Sequence, residues 1–240
     1  MKFLKFLCGL CVFGLYSCSN VKDQSIGYRD IKVAGAMKNV MWKGELSGII
    51  RLDTMANKKG LYGLGPLSFL KGELLINDGR VFVSKVLSDS TMLVEETSDV
   101  SAPFFVYGNV TEWKESKLPI SVKDIKSLET YIHQLTELEK RPFVFKLLGR
   151  VDSAKIHIQN LPDGTKVSSP KEAHQGQTNY LLKDEVVEII GFFSTEHQGI
   201  FTHHDSFLHM HLMTQDHSKM GHLDEVLFSE GKVKLLLPLK

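Results

Sequence analysis

Cysteine is scarce in this chain and is confined to its N-terminus. Of 240 residues only Cys8, Cys11 and Cys18 are cysteines, which excludes a fold that is cross-linked by several disulfides. An excess of charge of one sign is also lacking, because the net charge is +1. A partnership with nucleic acid through a strongly basic face is therefore not expected. With 42% hydrophobic residues and no visible internal repeat, the chain is an ordinary globular protein whose function must come from a local site.

The apolar run near the N-terminus is too short to cross a membrane stably. Two lysines precede this run at 6–16, and it ends in Leu-Tyr-Ser-Cys at Cys18. This order resembles a bacterial lipoprotein signal, which is cleaved before a cysteine that then carries the lipid. An ordinary secretory signal with an incidental cysteine is the alternative. We therefore predict a signal peptide at 1–18, a lipidated Cys18, a polar tether at 19–29, and an exported protein anchored to a membrane of the cell envelope.

Short apolar runs separated by turn signals make up most of the remaining chain, and such runs predict strands. The second run is broken by Asn-Asp-Gly at 77–79, which is typical of a tight hairpin. A long polar stretch with two prolines at 162–180 predicts a loop that forms a rim or a lid. The predicted strands lie at 44–53, 72–86 on both sides of the hairpin, 90–96, 102–110, 143–161 (two strands), 186–194, 206–214, and in a final hairpin at 222–239.

One segment shows helical periodicity. A helix is predicted at 121–139, with Ser121 as its cap and Pro142 beyond its end. It divides the chain into sheet-rich halves at 30–140 and 141–240. The predicted fold class is α+β, with two mostly antiparallel or mixed sheets packed together and one main helix. The apolar stripe of the helix consists of Ile125, Leu128, Ile132, Leu135 and Leu138.

Four of the ten histidines fall in the stretch HMHLMTQDHSKMGH. On a strand, His209 and His211 point to the same face, about 7 Å apart. A turn after the strand would return His222 on the neighbouring strand, whereas His217 lies in the turn and is expected to be exposed. Three imidazoles on paired strands can converge on one metal ion, and three protein ligands with an open position are typical of a catalytic site. The alternative is a pair of surface histidines, or one partnered core histidine and its neighbour.

The segment before this strand carries three more histidines, His197, His203 and His204. They are candidates for substrate contacts or for partners of the ligating imidazoles, which usually need an orienting group. Asp205 and Asp216 are candidates for that orienting carboxylate. For each of the five, an ordinary solvated loop residue is the preferred interpretation.

The stretch EIIGFFSTEHQGIFTHHDSFLHMHLMTQDHSKMGHLDEV is similar to the metal-binding half of the α-acetolactate decarboxylase family. The shared features are Gly191-Phe192, the His-x-His of His209 and His211, and Gly221-His222 after a ten-residue gap. Farther back, GLGPLSFLKGELLINDGRVF resembles the family stretch that contains a catalytic glutamate. The resemblance implies that Glu73 is that glutamate. It also implies a divalent transition metal, such as zinc, on the three histidines.

Three departures from the family pattern bear on activity. Lys155-Ile156-His157 stands where the family carries its catalytic arginine, so His157 takes that position. An arginine would hold a carboxylate bidentately, whereas His157 could do so only when protonated and with fewer donors. Pro66 stands at the position of a family threonine. The family also has an acidic residue near a longer C-terminus, and we expect this segment to be missing here.

The resemblance implies decarboxylation of acetolactate, or of a related 2-hydroxy-3-keto acid, to an acetoin-like product. Glu73 would ligate the metal or help to protonate the enediolate, and His157 would contact the substrate. Two alternatives remain. One is an exported lipoprotein that binds metal or a small acid without turnover, and the other is a different metal-dependent lyase or isomerase. The expected partners are the small acid and, through the lipid alone, a membrane; a homodimer is left open.

Overall fold

The structure is a computed structural model that describes residues 31–137 and 139–239. The predicted signal peptide, Cys18 and the tether lie outside the described residues, as does Leu138 of the helical stripe. Within the described ranges, every helix is too short or too polar to pass through a bilayer.

The first half of the chain forms an antiparallel sheet, called here the N-terminal sheet. The predicted Asn-Asp-Gly hairpin is confirmed in it, with Asn77 paired to Arg80. Asp78 and Gly79 take φ values of 47° and 82°, as the two central residues of the favoured tight hairpin turn require. The six strands lie in the spatial order β1 (Lys32–Ala34), β8 (Phe105–Asn109), β3 (Leu61–Pro66), β4 (Glu73–Asn77), β5 (Arg80–Val86) and β6 (Met92–Glu96).

The second half forms a five-stranded antiparallel sheet whose four long strands close into a small barrel. Closure arises because β10 pairs with β11 on one side and with β13 on the other. Alternating apolar side chains fill the barrel interior, including Ile156, Met210 and Leu223. The strands lie in the order β10 (Phe143–Ile158), β11 (Thr178–Phe193), β12 (Leu208–Thr214), β13 (Met220–Pro238) and β9 (Trp113–Lys117).

Two segments that were predicted as strand pairs are single long strands. The predicted pair at 143–161 is the continuous strand β10, and the predicted hairpin at 222–239 is the continuous strand β13. β10 and β13 pair with each other over most of their length, and the register of this pairing shifts near Gly149. Gly231 takes a φ of 67°, and this glycine absorbs a bend within β13 where a hairpin turn had been predicted.

A short helix in the N-terminal half was not predicted. α1 (Met37–Lys43) ends at Gly44, whose φ of 65° is the left-handed conformation favoured at helix ends. Its buried face consists of Met37, Val40 and Met41. Most of the segment predicted as a strand at 44–53 is irregular, and only β2 (Ile50–Arg51) pairs, with β7 (Ser101–Ala102).

The predicted main helix exists but is shorter than expected. α2 spans Ile125–Leu135, and Asp124 rather than Ser121 caps it by accepting a hydrogen bond from the Ser127 backbone N–H. Leu128 and Ile132 pack into the core of the barrel. Both α2 and β9 precede residue 141, yet they belong to the C-terminal half: α2 buries its apolar face in the barrel core, and β9 pairs with β13.

The outer face of the barrel packs against the N-terminal sheet. Ile190, Phe192 and Met213 from the barrel meet Leu64 and Phe82 in one buried cluster. Side chains on a strand alternate between its two faces. Residues two positions along a strand from these apolar residues therefore also point towards the N-terminal sheet. The candidate site lies at this interface.

Candidate metal centre

His209, His211 and His222 converge on the outer face of the barrel. His211 on β12 lies directly opposite His222 on β13, and His209 precedes His211 by two residues on the same face. The three ring centroids are 5.0–5.5 Å apart. One nitrogen from each ring lies within 4.8 Å of one nitrogen from each of the others. The hairpin therefore brings the three imidazoles together in the way that the alternation and the turn predicted.

The chemistry of these side chains fits a bound transition metal. All three histidines are buried. Nδ1 of His209 and both ring nitrogens of His211 have no hydrogen-bond partner among the described residues. Leaving buried polar atoms unpaired costs free energy. A divalent metal ion coordinated by imidazole nitrogens offsets this cost, so this trio could hold one.

The electrostatics keep the three imidazoles in the form that binds metal. Burial lowers the pKa of His211 to about 3, and the neighbouring His157 acts in the same direction. Burial also lowers the pKa values of His209 and His222 well below the ordinary histidine range, and other imidazoles in the cluster lower them further. All three rings are therefore neutral near pH 7, which is the protonation state that a metal ligand requires.

Glu73, the first residue of β4, reaches the same cluster from the N-terminal sheet. Its Oε2 lies 3.6 Å from Nε2 of His211, and its Oε1 accepts a hydrogen bond of 3.2 Å from the backbone N–H of Gln159. Burial raises the pKa of the Glu73 carboxyl well above its usual range, and the charge of Asp224 adds to this effect. Glu73 is therefore a buried carboxyl group beside His211, and its environment favours the protonated form.

His157 lies beside the cluster on β10. It is directly opposite His222 in the strand register, and the two rings are 4.6 Å apart. Its Nδ1 lies 2.8 Å from Oδ1 of Asp224, and its Nε2 lies 3.5 Å from the amide nitrogen of Gln159. The facing of His157 was unknown from sequence, and Asp224 and Gln159 were not identified there. Asp224 carried one missed signal, its position two residues after His222.

Two further histidines border the same cavity. The ring of His203 lies 5.5 Å from that of His222, and burial lowers its pKa. His174 follows the short helix α3 (Pro170–Ala173) in the polar segment that was predicted as a rim. Burial lowers its pKa as well, and His157 acts in the same direction. Of these two, only His203 was singled out from sequence.

The other candidates from sequence lie outside the cluster. His197 bonds to the Ser194 hydroxyl, and His204 and Asp205 are exposed. Asp216 is committed to its own turn, where it accepts hydrogen bonds from neighbouring residues. His217 is half-buried, not exposed, because its ring packs on Phe82 at 5.0 Å.

The cavity at the cluster is small. Its volume of about 30 Å³ exceeds what one water molecule needs. A cavity of about 480 Å³ between α2 and the end of β13 is larger, but no histidine lines it. The chemistry therefore selects the smaller cavity, which is lined by Met37, Met41, Pro66, Leu70, Glu73, Phe104, His157, Gln159, His174, His203, His209 and His222.

The fold and the site together define a class of protein. In this class, two antiparallel sheets pack together, and a three-histidine cluster and a buried glutamate lie at their interface. The family model for alpha-acetolactate decarboxylase matches residues 35–237, and the chain belongs to this family. At the level of the family, membership and fold support a decarboxylase function.

Individual relatives agree with this assignment. The chain is 25% identical over 204 residues to the alpha-acetolactate decarboxylase of Lactococcus lactis subsp. cremoris strain MG1363, covering 85% of this chain and 78% of that protein. Two solved structures share the fold. Alpha-acetolactate decarboxylase from Bacillus subtilis strain 168 has a TM-score of 0.70 at 19% identity, covering 88% of this chain and 86% of that one. A Staphylococcus aureus protein of unknown function, described as similar to alpha-acetolactate decarboxylase, has a TM-score of 0.72 at 16% identity with the same coverage.

Proposed function

We propose that this protein is a zinc-dependent decarboxylase of acetolactate, or of a closely related 2-hydroxy-3-keto acid, and that it releases an acetoin-like product. One observation carries the proposal. In a chain of the decarboxylase family, three buried imidazoles that could hold one metal ion lie together, and two of them line a cavity with a buried carboxyl group.

His209, His211 and His222 hold the metal in this proposal, since each ring is neutral and offers one nitrogen. When bound, zinc acts as a Lewis acid that polarises the substrate ketone and stabilises the charge that develops as carbon dioxide leaves. The bond between the carboxylate carbon and the carbinol carbon breaks, and the electron pair remains on the substrate. One proton must then be added to that carbon.

Glu73 supplies this proton. Its buried carboxyl group keeps a proton at a pH at which an exposed glutamate would have lost it. The apolar wall of Met37, Met41, Leu70 and Phe104 keeps bulk water away from the same cavity. The cavity is small, about 30 Å³, and Met37 and Met41 of α1 form part of its wall together with His174.

His157 takes the place of the family arginine as the contact for the substrate carboxylate. A single imidazole nitrogen makes one hydrogen bond, whereas a guanidinium group makes two in a fixed geometry. We therefore expect turnover of acetolactate to be slow.

Replacing His157 by arginine should raise kcat/KM for acetolactate. A charge-assisted contact to a carboxylate is worth about 1.5–3 kcal/mol, so the gain is roughly ten- to a hundredfold. Carbon dioxide release from zinc-loaded protein lacking residues 1–18 provides the measurement. Lys155→Arg is the matched control, since Lys155 lies on the same strand but pairs with Glu225. An equal or lower rate for His157→Arg would contradict the carboxylate role of this position.

The same assay decides between the proposed function and its alternatives. Carbon dioxide and an acetoin-like product from acetolactate, together with about one zinc ion per chain, support the decarboxylase. Zinc-loaded protein that forms no product would favour a metal- or acid-binding protein without turnover. Turnover of another hydroxy-keto acid would indicate a different metal-dependent lyase or isomerase.

We also propose that the protein is exported and anchored through a lipid on Cys18. In a bacterial host, the full-length chain should sediment with membranes and incorporate a labelled fatty acid. Cys18→Ala should abolish labelling and move the protein to the soluble or secreted fraction, because the acyl chains are the only anchor proposed. Cys11→Ala is the control and should change nothing. Labelling that persists in Cys18→Ala would rule out this anchor.

A further inference from the structure

Asp224 is the extra residue of a β-bulge. Along the pairing of β10 with β13, Ile156 lies opposite Leu223 and Lys155 lies opposite Glu225. Asp224 therefore has no cross-strand partner on β10. The bulge resets the alternation beyond it, so that Val226 rather than Glu225 is the next residue buried in the barrel core. Bulges are frequent next to active sites.

The Asp224 carboxylate contacts His157 on the face that alternation also gives to His222, two residues earlier. Its Oδ1 lies 2.8 Å from Nδ1 of His157, whose side chain is 8% exposed. The Nδ1–H group of His157 donates a hydrogen bond to this carboxylate, both in the neutral ring and in the charged ring. Since Nδ1 is committed, only Nε2 of His157 remains for a ligand, and both His157 and its neighbour Gln159 line the cavity.

The second oxygen of Asp224 argues against a purely structural role. Oδ2 is buried and has no hydrogen-bond partner among the described residues. A carboxylate kept only for stability would usually have both oxygens satisfied. By contrast, Asp216 has the pattern of a structural carboxylate, because it accepts hydrogen bonds from Thr214 and Ser218 in an exposed turn.

We propose that Asp224 is a positioning residue: it holds the His157 imidazole by Nδ1, so that Nε2–H of the doubly protonated ring donates to the carboxylate of a 2-hydroxy acid bound in the cavity. This inference rests on the proposed function, because it names the group that aligns the carboxylate contact. Asp224 does not touch the acid itself, so its effect must pass through His157.

The test uses 2-hydroxyisobutyrate as the probe, because it carries the hydroxyl and carboxylate groups of the substrate but has no ketone and is not turned over. The protein lacks residues 1–18 and is loaded with zinc. Titration calorimetry gives the probe affinity, metal analysis gives the zinc content, and proton NMR detects the His157 Nδ1–H signal, assigned by its loss in His157→Gln. Glu225→Gln is the matched control, since Glu225 is the exposed neighbour that pairs with Lys155.

We expect Asp224→Ala to lose the Nδ1–H signal and to bind the probe about tenfold more weakly, which is typical of losing a charge-assisted hydrogen bond. Asp224→Asn keeps an acceptor oxygen and should restore the signal and part of the affinity. Zinc content should not change in either variant. In the His157→Gln background, Asp224→Ala should weaken binding no further, because the two residues act as one unit.

Three results among the variants would overturn the inference: additive losses in the double variant, a probe affinity unchanged in both Asp224 variants, or loss of zinc from Asp224→Asn. Failure of the proposed function has a different signature. Wild-type protein would then bind the probe with the expected pattern among variants but release no carbon dioxide from acetolactate. Wild-type protein that does not bind the probe at all would also overturn the inference.

Discussion

His211→Ala should lose its zinc and, with it, the decarboxylase activity. His211 is completely buried, and neither of its ring nitrogens has a hydrogen-bond partner among the described residues. Losing a Lewis acid removes several kcal/mol of transition-state stabilisation, which corresponds to a roughly thousandfold or greater fall in kcat. Metal analysis and carbon dioxide release on the same samples provide the measurement.

The stability of the same variant gives a second readout. Zinc in hundredfold excess over its Kd should stabilise the wild-type fold by about 2.7 kcal/mol, whereas His211→Ala should not respond. His217→Ala is the control, since His217 lies in the turn of the same hairpin with its ring on Phe82. It should keep both zinc and activity. One equivalent of zinc and full activity in His211→Ala would refute the proposed site.

The metal-free protein should become much less stable as the pH falls below about 6.5. His209, His211 and His222 are neutral in the folded state because burial lowers their pKa values. In the unfolded chain they take up protons near their ordinary pKa of 6.5, so acid favours unfolding. Each contributes up to about 1.4 kcal/mol per pH unit.

Glu73 opposes this trend in part. Its raised pKa means that the folded protein keeps a proton that the unfolded chain releases above its ordinary pKa of 4.5. Its contribution to stability is therefore present at low pH and is lost as the pH rises. For these four groups the net difference is about two protons near pH 5.5, which corresponds to a slope of about 2.5 kcal/mol per pH unit. His174 and His203 add to this slope, because burial lowers their pKa values too.

Urea unfolding of chelator-treated protein at pH 7.5, 6.5 and 5.5 measures this slope. His211→Gln removes one of the three groups and should lower the slope by about 1.4 kcal/mol per pH unit. His217→Ala, which leaves the cluster intact, should keep it. A free energy of unfolding that stays constant across this range would show that the three imidazoles are not held neutral.

The zinc-loaded protein extends the same argument. Because burial lowers the pKa of folded His211 to about 3, protons compete weakly with the metal as long as the protein is folded. We therefore expect zinc release on acidification to coincide with unfolding. Release from protein that is still folded at pH 5.5 would contradict the low pKa.

The local sequence is enough to predict the three-histidine part of the site. Strand alternation places His209 and His211 on one face, and the short turn sets the register that puts His222 opposite His211. These are relations between residues close in the chain, so periodicity and turn length are enough to predict them. The same reasoning predicts the Asn77–Arg80 hairpin, whose two central residues tolerate positive φ.

The fold class was predictable for a related reason. Alternating apolar runs identify strands wherever one face is buried, and the stripe on α2 identifies its buried side. Lengths and connections were less predictable. Whether Gly231 ends a strand or bends it depends on the continuous pairing of β10 with β13, which no local pattern reports.

Only the tertiary structure decided which other groups meet the histidines. Glu73, Gln159 and His174 come from different segments, and α1 closes the cavity with side chains that look like ordinary core residues in the sequence. The resemblance to a family pointed to Glu73, but neither local spacing nor composition did. Asp224 shares a face with His222 two residues earlier, but its contact with His157 depends on the long-range pairing of β10 with β13 and on the one-residue bulge in that pairing. Such contacts depend on how the two sheets pack and on where the register of one strand shifts by a residue. A short stretch of sequence does not report either feature, because the packing energy is shared among residues that are distant in the chain.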